Sequence, residues 1–150
     1  MSTAVEKVFG TTLQHTEEWL EALMRELGTS DPHRAQRALR ATLHVLRDRL
    51  TPQEAIDLAA QLPMLVRGLY FEGWVPRITP IKRSRQQFLE KVRELVDQSD
   101  PDTDAEPAVR AVFRVLAKHV SAGEMDDVKQ VLPHSFRSLF SPAGAAAAES

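Results

Sequence analysis

Five histidines, two carboxylate pairs, one basic stripe and one cluster of arginines with aromatic rings are the groups in this chain that suit chemistry. The histidines, His15, His33, His44, His119 and His134, never fall three or four residues apart, and no His-Glu-x-x-His occurs. The spacing by which one helix face offers two ligands to a metal is therefore missing. There is no cysteine, so thiol catalysis, thiolate metal sites and disulfides drop out together. Glu54/Asp57 and Glu124/Asp127 each sit one turn apart at a helix start, where acids cap the first turn and complement the helix dipole, a use that outweighs acid–base work. Neither Gly-x-Ser-x-Gly nor a phosphate-binding glycine loop is present. The expectation is a protein without metal, cofactor or catalysis. The one catalytic arrangement worth naming sets His44 against Glu54 or Asp57.

The remaining groups suit binding. Arg37, Arg40, His44 and Arg47 recur at three- and four-residue steps, opposite an apolar stripe of Ala35, Ala38, Leu39, Thr42, Val45, Leu46 and Leu50. Arg40, His44 and Arg47 are the residues a small anion or a polyanion would meet. Arg67, Tyr70, Phe71, Trp74 and Arg77 combine the residue types enriched at protein interfaces. Two uses compete for them: contact with a protein partner, or a plug that seals the joint between two halves of the chain.

Those halves are written in the sequence. Ala38 to Tyr70 is repeated from Ala108 to Phe140 without a gap, pairing Arg40 with Arg110, Leu46 with Leu116, Glu54 with Glu124, Asp57 with Asp127, Pro63 with Pro133 and Arg67 with Arg137. Upstream, Trp19-Leu20-Glu21 meets Phe88-Leu89-Glu90, and Ser30-Asp31-Pro32 meets Ser99-Asp100-Pro101. Each unit is thus a helix, a loop and a tightly joined helical pair. Helix one ends near Gly28, with a break near Gly10 to Thr12. Helix two opens at Asp31-Pro32 and runs to about Leu50, and Pro107 opens its partner. Thr51-Pro52-Gln53-Glu54 is a capping box that starts helix three, and Ser121-Ala122-Gly123-Glu124 repeats the device. Short helices follow the breaks at Pro63 and Pro133. Helix four spans Arg85 to Val96. Two units make a duplicated bundle, since an open solenoid needs three or more. The fold class is all-α: two three-helix repeats, about 1–71 and 84–140, in one domain over 1–140, with a linker at 72–83 whose Trp74, Val75, Ile78 and Ile81 are expected to pack back on a half. Residues 141–150 read as a disordered tail.

At 150 residues, 43% hydrophobic and a net charge of −2, the chain can bury a core without staples and carries no global field for nucleic acid or anionic membrane. The outward faces of helices three and six, with Glu54, Asp57, Glu124, Asp126 and Asp127, would repel a DNA duplex. Neither a signal peptide nor a membrane span is legible, so a cytoplasmic location is expected.

Trp19-Leu20, Leu46-Arg47-Asp48-Arg49-Leu50, Leu58-Ala59-Ala60-Gln61-Leu62-Pro63 and Arg67-Gly68-Leu69-Tyr70-Phe71-Glu72-Gly73-Trp74, in that order, resemble the bacterial family catalogued as domain of unknown function 2267, from about Val8 to Phe140. The resemblance implies a small helical protein and brings no activity, substrate or cofactor with it. What remains is a non-catalytic module for protein interaction or self-assembly, with a protein partner that includes a second copy of itself. The alternative is a small-molecule or polyanion binder using a groove between the repeats.

Overall fold

The computed structural model describes residues 2–97, 100 and 103–141. Among them lie seven α-helices, α1 Ala4–Leu27, α2 Pro32–Asp48, α3 Pro52–Ala59, α4 Met64–Phe71, α5 Arg85–Asp97, α6 Ala105–His119 and α7 Ala122–Val131, then a 3-10 helix His134–Phe140, and no strand. The all-α expectation holds, and the short helices after Pro63 and Pro133 are both present. The expected tail beyond Ser141 and part of the loop between α5 and α6, including Ser99 and Pro101, lie outside the described residues.

The ends of the helices follow local chemistry. Gly28 closes α1 at φ 68°, a left-handed conformation that a residue with a Cβ resists. The break expected near Gly10 to Thr12 is a kink at Phe9, with φ −112° and ψ 17°. Asp31 accepts from His33 N at 2.9 Å to cap α2, with Pro32 at the first helical position. Helix α6 starts at Ala105, two residues before Pro107; proline is tolerated there because the first four helical N–H groups lack partners anyway. Thr51 and Glu54 make the reciprocal capping box. At Ser121 only half of it forms. Ser121 Oγ accepts from Glu124 N, but the Ser121 N–H donates to Gln61 Oε1, 60 residues away, so the other half of the chain supplies the second cap.

Helices α2 and α6 are central and pack on one another, while α1 lies along α6 and α5 along α2. The Trp19 ring lies 5.1 Å from that of His119, tilted by 40°, and Glu26 pairs with Arg114, so α1 rises as α6 descends. One continuous core runs from Trp19 to Leu139, with Leu43, Leu46, Phe88, Phe113 and Phe136 wholly enclosed. Cutting a fully enclosed leucine such as Leu43 to alanine costs about 2–5 kcal/mol in transfer and cavity terms. Helices α3 and α7 begin at Pro52 and Ala122, and α4 and the 3-10 helix at Met64 and His134, each pair offset as the sequence repeat is. Helix α1 departs from that scheme. The repeat sets Thr16 against Arg85, where α5 begins, so Ala4 to His15 form a helical arm with no helical counterpart in the second half.

The central linker is only partly packed. Trp74 and Ile81 are half-buried, and Ile81 N donates to Asp48 O at 2.9 Å. Val75 and Ile78 are exposed, contrary to expectation, because Pro76 and Pro80 hold an extended stretch with few N–H groups to anchor it.

Candidate interaction surface

The basic stripe of α2 faces protein. Helix α4 lies across it, and three of its residues grip the end of that helix. Arg40 Nε donates to Glu72 Oε1 at 2.8 Å, His44 Nε2 donates to Leu69 O at 2.8 Å, and Arg47 Nη1 donates to both Tyr70 O and Glu72 O at 2.6 and 2.7 Å. The last carbonyls of a helix have no partner within it; the His44 ring and the Arg47 guanidinium supply donors to them, and the Arg47 charge complements the negative end of the dipole. His44 and Arg47 are therefore buried instead of solvated, which corrects the outward placement of the stripe. Burial holds His44 below its usual pKa despite the carbonyl beside it, and the Arg40 guanidinium holds Glu72 below the usual carboxylate range. All three candidate anion contacts are occupied from within the chain.

The arginine–aromatic cluster is also turned inward, with one exception. Tyr70 is wholly buried, its hydroxyl donating to Ala55 O at 2.9 Å, so it presents nothing to a partner. The enclosing apolar wall raises its pKa. Phe71 packs 5.1 Å from Tyr70 and 5.2 Å from Trp74, and both outer rings rest on the core. Arg67 donates to Ala59 O and Leu62 O, both at 2.9 Å, and so caps the end of α3. Of the five, Arg77 alone is exposed. These rings pack on Ala55, on one another and on the core.

The two carboxylate pairs meet. Glu54, Asp57, Glu124 and Asp127 line one cleft of about 220 Å³ where α3 and α7 face each other. Burial, then Asp57, Asp127 and Glu54, push the Glu124 carboxyl above its usual pKa. His44 stands elsewhere, with Glu72 as its acidic neighbour, so the floated pairing of His44 with Glu54 or Asp57 does not form. Among the described residues, no group of three or more histidine, aspartate or glutamate side chains is placed to hold a metal, and no helix is long and apolar enough to cross a membrane.

The surface that departs from ordinary solvation is one the sequence did not single out. Residues 4–9 of the α1 arm are all exposed, and Val5, Val8 and Phe9 keep 55, 72 and 43% of their surface in water. On α4, Met64 and Leu65 keep 54 and 50%. Val8, Phe9 and Met64 line one groove of about 360 Å³ with Thr12, Leu62, Pro63 and Arg67, so the two helices present one apolar patch. Val5, one turn before Val8 and Phe9 on α1, and Leu65, next to Met64 on α4, are exposed but do not line the groove. The signal was available: Val5, Phe9 and Leu13 repeat at helical spacing beyond the point where the second half has any helix to match.

Fold and surface define an all-helical bundle whose Arg40, His44, Arg47 and Arg67 are engaged within the chain and whose apolar groove lies between the start of α1 and α4. The chain belongs to the family of uncharacterized conserved proteins DUF2267, whose model matches residues 16–139. The arm, Ala4 to His15, precedes that span. No curated protein matches the chain.

Proposed function

We propose that this protein is a non-catalytic helical module that binds protein through the α1 arm and the outer face of α4. The observation that carries this is the groove in which three large, exposed apolar side chains, Val8, Phe9 and Met64, meet on two neighbouring helices, with Val5 and Leu65 exposed on the same two helices. Single exposed apolar residues are ordinary; a contiguous patch on a soluble domain marks a contact surface. A helical arm that packs little of itself onto its own domain gains stability only when its apolar side is covered, since propensity alone barely sustains a short helix in water. The duplicated bundle is the rigid support. Its α2 cations fix α4 from beneath, leaving Met64 and Leu65 outward.

A photo-crosslinking side chain at position 8 or 65 tests this in cells expressing the protein. Protein adducts are expected from both positions and not from the exposed Gln86 on α5. Adducts equal at all three positions, or absent from 8 and 65, would overturn it.

A further inference from the structure

We infer that the partner offers a peptide segment with apolar side chains at one end and a lysine or arginine at the other, the basic group seated between Glu18 of α1 and His119 of α6; this rests on the protein-binding proposal above. The apolar groove does not end where its apolar side chains do. His15, Leu62 and Pro63 line that groove and also line a second cavity of about 360 Å³, so the two are continuous. Val8, Phe9 and Met64 furnish one stretch of the combined groove, and Glu18, Gln61 and His119 the other. At about 1.5 Å of rise per helical residue, Phe9 and Glu18 stand roughly 13 Å apart along α1. That length takes about two turns of a helix or about four extended residues, so a single segment reaches both stretches.

The polar stretch selects among apolar segments by charge. Glu18 is exposed, and no cation among the described residues pairs with it; Glu17 and Glu21 beside it on α1 are exposed and unpaired in the same way. His119 Nδ1 donates to Val115 O at 2.9 Å, which leaves Nε2 of the neutral ring as an acceptor. The cations nearby are already committed. Lys118, next to His119, lies 3.5 Å from Glu26, and Arg67, at the apolar stretch, donates to Ala59 O and Leu62 O. Gln61 has its carbonyl taken by the Ser121 N–H.

Three kinds of segment are thereby separated. An acidic one brings a second carboxylate to Glu18 with no cation between them. A wholly apolar one strips Glu18 of water and leaves it unpaired, which is costly for a charge. A segment that carries lysine or arginine past its apolar residues gives Glu18 a counter-ion and His119 Nε2 a donor, while its apolar side chains cover Val8, Phe9 and Met64. Charge matched in this way speeds encounter and rejects wrong partners more than it adds affinity.

Fluorescence anisotropy with labelled, alanine-based helical peptides reads this on the full chain. One peptide carries leucines in its first turns and arginines in its last, a second has the reverse order, and each has a control with glutamates in place of the arginines. One arginine peptide should bind about tenfold or more tighter than its glutamate control, with an affinity that falls as salt is added. Glu18→Gln should weaken that peptide about threefold and Glu18→Lys about tenfold, whereas Glu90→Lys, an exposed reversal on α5, should leave it unchanged. All three variants should keep the wild-type circular dichroism. Equal affinity for arginine and glutamate peptides would overturn the inference, as would binding indifferent to Glu18→Lys or no binding of either arginine peptide. In cells, protein adducts from position 8 should fall sharply once Glu18→Lys is added. Adducts that persist undiminished leave the protein-binding reading standing and sink the basic segment; no adducts from the otherwise unaltered chain sink both.

Discussion

Arg47→Met isolates the grip on α4. Arg47 is buried, and its Nη1 donates to the Tyr70 and Glu72 carbonyls at 2.6 and 2.7 Å. Methionine keeps the length of the side chain and removes the donors. A hydrogen bond with one charged member contributes about 1.5–3 kcal/mol. Glu72 is exposed, so water can replace the arginine at its carbonyl, whereas Tyr70 is fully enclosed and its carbonyl is left facing apolar side chains. Relief from burying the guanidinium offsets part of the loss. The net destabilisation is then about 2–3 kcal/mol, which for a chain of this size lowers Tm by roughly 4–12 °C. Urea unfolding followed by far-ultraviolet circular dichroism should show the midpoint falling by about 1–2 M with the m-value unchanged. Hydrogen exchange supplies the local readout: the amides of α4 should exchange faster, and those of α5 should move only by the global change. A midpoint shift worth less than about 0.5 kcal/mol, or uniform loss of protection, would refute the claim that this arginine holds α4 in place.

Other consequences can be checked on the same material. Trp74→Ala should lower stability by about 1.5–2.5 kcal/mol, read by urea unfolding, because Trp74 packs on Phe71 and the core. Glu124 has a folded pKa above its unfolded value, so its stabilising term is complete below about pH 4.5 and is lost as pH rises through the raised value; Glu124→Gln should therefore raise Tm at neutral pH and have little effect near pH 4. His44 is the opposite case. Its folded pKa lies below 6.5, so the stability it contributes is complete above about pH 6.5 and declines as pH falls towards the lowered value; Tm followed from about pH 7.5 to about pH 5.5 should fall less steeply in His44→Gln, where an amide N–H replaces the Nε2 donor.

The second half of the chain solves the same end-capping problem with a different residue. Arg110 Nη1 donates to Ser138 O and Ser141 O at 2.7 and 2.9 Å, gripping the terminal 3-10 helix as Arg47 grips α4. In the sequence repeat Arg110 aligns with Arg40, not with Arg47. Identity at an aligned position thus did not carry identity of role. Arg40 spends its charge on Glu72, and the Arg110 side chain also meets Glu106, which the first half lacks at the matching place.

The sequence by itself determined the elements. Capping residues, prolines and apolar periodicity are local, and each acts through backbone groups within a few residues, so the starts of α2, α3, α4 and α7 could be read from Asp31-Pro32, Thr51, Pro63 and Ser121. Only the tertiary structure decided what the polar and aromatic side chains are for. Periodicity says that Arg40, His44 and Arg47 share a face, and cannot say that α4 will lie over it, because the partners Leu69, Tyr70 and Glu72 are more than twenty residues away. The same holds for Gln61 at the Ser121 N–H and for the meeting of the four carboxylates. The arm is the converse. Its apolar stripe reads in sequence like any core-facing helix, and only the tertiary structure leaves Val5, Val8 and Phe9 exposed, since no second-half helix among the described residues matches the Ala4–His15 stretch of α1.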